Sequence, residues 1–181
     1  MHTQTHHLTS PATGTQRTLH SLHFGQTGHG QKIYIQASLH ADELPGMLVA
    51  HHLRGLLTTL DNEGQLLGEV VLVPVANPIG LDQTVMFNQL GRFELASGEN
   101  FNRHYPDFAN AIVDTVAPLL TQDAGHNREV IRAAMRQWLS QPRTVTYSAS
   151  RSHTPIRTPR YADVVPGFPR GCDAVIHFDV E

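Results

Sequence analysis

Lys32-Ile-Tyr-Ile-Gln-Ala-Ser-Leu-His-Ala-Asp-Glu43 joins an alternating segment to the start of a helical one. Its first eight residues alternate and are rich in strand formers, so they read as a strand. Residues 44–60 then place Leu44, Met47, Leu48, Leu53, Leu56, Leu57 and Leu60 at helical spacing. His40 and Glu43 therefore leave the carboxyl end of a strand together, at a tight strand-to-helix turn. An imidazole and a carboxylate converging at such a point are two legs of a zinc site. Zinc accepts N and O ligands, and a hydrolytic site needs three protein ligands plus an open position. The same residues also read as a solvated helix start, with Asp42 and Glu43 complementing the N-terminal dipole. The spacing alone leaves both readings open.

Outward from this stretch, the pattern predicts a strand near 17–24, a Gly-rich turn at Gly25–Gly30 and, after the helix, a turn at Asp61–Gly64. Val70–Val75 is a nearly continuous apolar run, the mark of a strand buried on both faces. Strand, helix and strand in this order imply a parallel pairing with a crossover helix. The expected class is α/β, with a mainly parallel or mixed sheet and flanking helices. The loops after Leu39 and Val75 are expected on the same side of the sheet, where ligand sites of open α/β sheets gather. Asn77-Pro78-Ile79-Gly80 breaks the chain, and a long loop runs to Asp107. A short helix is expected within Phe108–Thr121, interrupted by Pro118. A better one covers Asp123–Ser140, with Val130, Ile131, Ala134, Met135, Trp138 and Leu139 on one broad face.

Composition narrows the function classes. A chain of 181 residues suits one domain, or a large part of a bigger one, and can bury a real core. A formal net charge of −3 leaves no electrostatic footprint for nucleic acid or an anionic membrane surface. Cys172 stands alone, so no disulfide framework exists. Nothing resembles a secretory segment or a membrane span, and the expected location is cytoplasmic. The 13 histidines are mostly scattered. The adjacent pairs His6-His7 and His51-His52 read as solvated or partly buried side chains.

The loop from Asn77 to Asp107 is too long for a mere connector, and loops of this length are usually functional or disordered. It holds Arg92 and the run Gly98-Glu-Asn-Phe-Asn-Arg-His-Tyr-Pro-Asp107. Asn102 and Arg103 offer an amide and a planar five-donor fork, suited to a carboxylate and a polarised carbonyl oxygen. They equally suit a loop tied down by bonds to its own backbone.

Three motifs in this order resemble the succinylglutamate desuccinylase/aspartoacylase family of zinc carboxypeptidase-like hydrolases. They are Ala37-Ser-Leu-His-Ala-Asp-Glu43, Val73-Pro-Val-Ala-Asn-Pro-Ile-Gly-Leu-Asp-Gln83 and Asn100-Phe-Asn-Arg-His-Tyr-Pro-Asp107. The resemblance implies a zinc cofactor held by His40 and Glu43, and a substrate carboxylate bound by Asn102 and Arg103. It implies a further arginine that polarises the scissile carbonyl, for which Arg92 is the nearest residue. An extra stretch separates Arg92 from Asn102. The implied reaction is hydrolysis of the amide bond of a small-molecule N-acyl amino acid.

The resemblance also implies a third ligand, a His within Asp-Leu-His or Asp-Phe-His after a buried strand, and this chain has no such motif. Ala162-Asp-Val-Val-Pro-Gly-Phe-Pro-Arg-Gly-Cys-Asp173 stands at that place, and Pro166 and Gly167 break the strand. Leu-Asp-Phe-His can be encoded CTG GAT TTC CAC G. One base inserted ahead of it gives CCT GGA TTT CCA CG, which reads Pro-Gly-Phe-Pro-Arg, the sequence of Pro166–Arg170. Residues 142–171 therefore read as an aberrant segment, out of frame at least in part. A natural flexible linker of biased composition is the other reading. The expected organisation is residues 1–141 as the N-terminal part of the catalytic domain, then this segment, then a residual strand at 172–181. His177, after an apolar run, is a weak substitute for the missing ligand.

The general base that the resemblance implies, a Glu well downstream, and the small β-rich domain after it are not found before Glu181. A truncated fold is the expectation. The alternative function is a catalytically inactive fragment with at most weak zinc or carboxylate binding.

Overall fold

The computed structural model describes residues 1–8, 10, 12–103, 108–140 and 174–178. Its strands are β1 (His2–Leu8), β2 (Arg17–Gly25), β3 (Lys32–Ala37), β4 (Glu69–Val73), β5 (Thr84–Val85), β6 (Asn88–Gln89) and β7 (Ala174–Phe178). Its helices are α1 (Leu44–Asn62), α2 (Pro78–Leu81), α3 (Phe108–Val116) and α4 (Ala124–Ser140). The chain divides into two compact units, Met1–Arg103 with Pro159–Glu181, and His104–Thr158.

The first unit is built on a five-stranded sheet of order β1-β2-β4-β3-β7. β3 and β4 pair in parallel, Lys32 opposite Glu69 and Gln36 opposite Val73, with α1 as the crossover. β7 extends the parallel part on the other side of β3, with His177 at the register of Gln36. β2 runs antiparallel to β4, and β1 antiparallel to β2. The sheet is therefore mixed, parallel where a helix crosses over and antiparallel toward β1.

Alternation along β3 assigns its side chains to two faces. Ile35 and Ala37 share a core with Leu22, Phe24 and Leu72, and Ala50 and Leu57 of α1 pack onto it. Tyr34 belongs to the opposite face, with Leu19, Val71, Val73 and Ala76. β4 contributes to both cores, as the nearly continuous apolar run predicts. The helical leucines divide less simply. Gly46, Ala50 and Leu57 are the buried positions of α1. Leu44, Leu48 and Leu56 are exposed instead. The spacing marks a face wider than the stripe that touches the sheet.

β1 has no counterpart in the sequence reading, and the reason is physical. Only His6 along His2–Leu8 is buried, so no apolar alternation announces the strand. Backbone pairing with β2 along its whole length holds it. The long loop after β4 also contains more structure than its composition shows. Asn77 caps the short α2, and β5 and β6 form a hairpin.

In the second unit, α3 ends in a 3-10 turn at Ala117–Leu119, where Pro118 removes a backbone donor. α4 starts after Asp123, whose Oδ1 accepts from the backbone N–H groups of Gly125 and His126 at 2.7 and 3.3 Å. α3 and α4 pack against each other. The segment 142–171 and its reading frame lie outside the described residues.

Candidate functional site

The site begins where β3 stops. Ser38 takes a positive φ of 63° and is fully buried, which turns the chain sharply before Leu39. A non-glycine residue held in that region is strained and persists only where the surroundings fix it. Here the surroundings are the loop after β4. Ala76 N donates to the Ala37 carbonyl at 2.8 Å, and Asn77 N to that of Ser38 at 3.1 Å. Asn77 Nδ2 donates to the Leu39 carbonyl at 2.8 Å, while its Oδ1 accepts from Gly80 N at the same distance. The loops following β3 and β4 are thus joined on one side of the sheet, as the parallel reading expects.

This brace delivers His40 and Glu43 into one buried place. His40 is 1% exposed and Glu43 8%. His40 Nδ1 stands 3.0 Å from Glu43 Oε1. Glu43 is the N-cap residue of α1, yet its carboxylate makes no capping bond. It meets His40 and Arg92 instead. Glu43 Oε2 is buried with no hydrogen-bond partner among the described residues.

A second loop closes over the pair. Ala41 N donates to the Gly91 carbonyl at 3.0 Å. The backbones lie so close that a Cβ on Gly91 would come within 2.3 Å of Asp42 N, so only glycine permits the approach. The next residue, Arg92, then reaches the Glu43 carboxylate through Nη2. The extra stretch between Arg92 and Asn102 folds back on itself. Phe93 pairs with Asn100 in an antiparallel bridge, and Phe101 N donates to the Arg92 carbonyl at 3.1 Å. Asn100 returns beside Arg92 by this route, and its Oδ1 lies 2.8 Å from His40 Nε2.

Among the expected site residues, His40, Glu43 and Arg92 therefore meet. Asn102 contributes its backbone N–H to Asn100 Oδ1 at 2.8 Å. Arg103 is exposed, and its Nη1 donates to the Asn102 carbonyl at 2.8 Å. The sequence reading gave no site role to Asn77, Gly91 or Asn100. Asn77-Pro78 carries a legible signal, a capping residue ahead of a proline at the first helical position. Asn100 and Gly91 carry none, because their partners depend on how the loop folds back.

The donor set can be tested against zinc. An imidazole nitrogen and a carboxylate oxygen 3.0 Å apart suit two ligands of one ion, and the buried, unpartnered Oε2 is a further oxygen donor beside them. His40 and Glu43 thus fit two of the three protein ligands of a hydrolytic zinc. No third His, Cys, Asp or Glu completes the group among the described residues. The stretch where the third ligand is sought, 162–173, lies outside them. The histidine pairs stand apart. His6 is buried, His7 exposed, and the rings of His51 and His52 meet edge-on at 5.5 Å on the exposed side of α1. No described helix is long and apolar enough to cross a membrane.

Comparison with known proteins bears on the family and the fold. The succinylglutamate desuccinylase/aspartoacylase catalytic domain matches residues 29–124, which include β3, α1, β4 and the whole candidate site. Among solved structures, the chain is similar to a protein described as a succinylglutamate desuccinylase/aspartoacylase family member from Shewanella amazonensis SB2B. The identity is 28% and the TM-score 0.52, over 75% of this chain and 43% of that one. A protein described by the same name from Shewanella frigidimarina NCIMB 400 gives 28% identity and a TM-score of 0.50, over 76% and 35%. The chain thus spans less than half the length of either relative. No curated protein matches it.

Proposed function

Because the chain belongs to the succinylglutamate desuccinylase/aspartoacylase catalytic-domain family, we propose that the His40–Glu43 site serves zinc-dependent hydrolysis of the amide bond in N-acyl amino acids. The observation that carries the reading is the buried approach of His40 Nδ1 to Glu43 Oε1 at 3.0 Å, at the carboxyl end of β3. When bound there, zinc supplies Lewis acidity toward an amide carbonyl and a water.

The residues of this chain do the rest of the work in the proposal. His40 and Glu43 hold the metal. Arg92, anchored on Glu43, presents its remaining guanidinium N–H groups to the carbonyl oxygen, where negative charge develops during attack. Asn102 and Arg103 bind the carboxylate of the amino acid, a task suited to the planar fork of arginine. Arg103 then exchanges its bond to the Asn102 carbonyl for the substrate.

The described residues supply two ligands and no separate general base. A site without acid–base assistance turns over about 10²–10⁴-fold more slowly than a complete one. Binding is therefore the sharper test. Calorimetric titration of the zinc-loaded chain with N-acetyl-aspartate and N-succinyl-glutamate should give saturable binding, weakened at least about tenfold in Arg103→Ala, since a charged pair contributes about 1.5–3 kcal/mol. Absence of binding, or binding by Arg103→Ala and Asn102→Ala as tight as the parent's, would overturn the substrate reading.

A further inference from the structure

The helices α3 and α4 pack together, yet they cover their apolar side chains incompletely. Among the described residues of the two helices only Val116 is buried, and α4 buries none. α4 is nevertheless amphipathic, with Val130, Ile131, Ala134, Met135 and Trp138 at helical spacing. Ile131 is 37% exposed, and the other four are half-buried. Beside this face runs a row of one charge. Arg128, Arg132 and Arg136 follow each other in four-residue steps, which stacks them along one line of the helix surface. Each precedes an apolar residue by three, namely Ile131, Met135 and Leu139, so the basic row borders an apolar one. Arg128 and Arg136 are exposed, and Arg132 contacts Glu129 at 3.4 Å. Glu129 is the single acidic residue within α4. The formal net charge of −3 on the whole chain conceals this segregation.

We propose that α4 docks along an anionic lipid surface, with Arg128, Arg132 and Arg136 at the headgroups and Ile131, Met135 and Trp138 at the apolar boundary beneath them. Charge complementarity names the occupant. An uncovered apolar stripe alone suits any apolar partner, and the arginine row selects a negative one. The two rows run side by side for two turns, which suits a plane of repeated charges better than a single acidic patch. Arginine fits that border because its stem packs on apolar surface while its guanidinium reaches phosphate oxygens. Trp138 adds an amphipathic ring of the kind enriched at membrane interfaces. No described helix is long and apolar enough to cross a membrane, so α4 lies on the surface rather than spanning it. Its start is fixed beforehand by the Asp123 cap and by Asn127, whose Nδ2 and Oδ1 both bond to the Thr121 backbone at 2.8 Å. Three arginines, each strengthening binding about fivefold, give reversible docking rather than permanent anchoring.

The experiment uses the full chain, whose one tryptophan, Trp138, reports on α4 directly. Vesicles of equal phosphatidylcholine and phosphatidylserine are titrated at low salt beside vesicles of phosphatidylcholine alone, with co-sedimentation as the second readout. The anionic vesicles should shift the Trp138 emission to the blue and carry the chain into the pellet, and added salt should weaken the binding. The neutral vesicles should bind far less. Replacing Arg128, Arg132 and Arg136 together by Gln keeps helix propensity and should weaken binding about 100-fold, and Arg128→Gln alone about fivefold. Arg54→Gln, which removes a charge from α1, should leave binding unchanged. No blue shift on anionic vesicles, or equal binding to both kinds of vesicle, overturns the proposal. So does a triple variant, helical by circular dichroism, that binds like the parent, or an equal loss in Arg54→Gln. Should the triple variant fail to fold, Arg128→Gln and the salt series decide, and binding indifferent to both overturns it. If lipid leaves Trp138 unmoved while an acidic amphipathic peptide shifts it, the face serves a protein partner and the lipid proposal falls.

Discussion

Asn77 Nδ2 donates to the carbonyl of Leu39 at 2.8 Å, across 38 residues of sequence. This bond joins the end of one parallel strand to the end of its neighbour, immediately before His40. Asn77 Oδ1 caps α2 at the same time, through Gly80 N at 2.8 Å. The residue is 4% exposed, so water cannot replace either bond at little cost.

Asn77→Ala should therefore destabilise the chain by about 2–4 kcal/mol. Losing an N-cap costs about 0.5–2 kcal/mol, and leaving a buried carbonyl unsatisfied costs about 1–3 kcal/mol more. Urea unfolding measures the difference. A loss below about 0.5 kcal/mol would mean that the two loops do not depend on this side chain.

The fold around this brace was largely legible in the sequence. Alternation in Lys32–Leu39, helical spacing after Glu43 and the apolar run Val70–Val75 give β3, α1 and β4, and their order gives the parallel pairing. These signals are local. β1 escaped because its pairing buries backbone groups and one histidine rather than an apolar face. At the site, the spacing of His40 and Glu43 foretold their approach. Arg92 and Asn100 join them only because Gly91 allows a close backbone contact and residues 93–100 fold back. Bonds made over 49 and 60 residues leave no periodic trace in a sequence.

A polar chain on the other side of β2 should make stability depend on pH. His6 Nε2 and His23 Nε2 both lie 2.9 Å from Ser21 Oγ, and His23 Nδ1 faces Glu69, which Lys32 Nζ contacts at 2.9 Å. Burial pushes the pKa of His6 down, helped by His23 and His20. Burial also lowers that of His23, against the opposing pull of Glu69 and with help from Lys32 and His2. Glu69 is held below its usual value despite its burial, by Lys32, and stays ionised throughout. A histidine whose folded pKa is depressed takes its proton first in the unfolded chain. Its stabilising contribution is thus complete above about pH 6.5 and is lost as pH falls below that value. The urea midpoint should fall between pH 7.5 and 5.5, and fall less in His6→Gln. A midpoint that holds level or rises on acidification would contradict this account.

The β5–β6 hairpin turns through Met86 and Phe87 at φ values of 48° and 65°, both in the left-handed region. Bulky residues there cost about 1–2 kcal/mol each, and Phe87 gains no burial in return. Two-residue hairpin turns of this form favour Asn-Gly. Replacing Met86 and Phe87 with Asn and Gly should therefore raise stability by about 1–2 kcal/mol, read as a higher melting temperature. Lower stability in the double variant would show that these side chains make contacts that hold the turn.

His40 and Glu43 are proposed to hold a metal ion between them. A crystal of the chain soaked in zinc and measured on both sides of the zinc absorption edge decides whether they do. An anomalous peak is expected about 2.0–2.2 Å from a ring nitrogen of His40 and from a Glu43 carboxylate oxygen, and none in His40→Ala. Zinc found on surface histidines with no peak between His40 and Glu43 would contradict it.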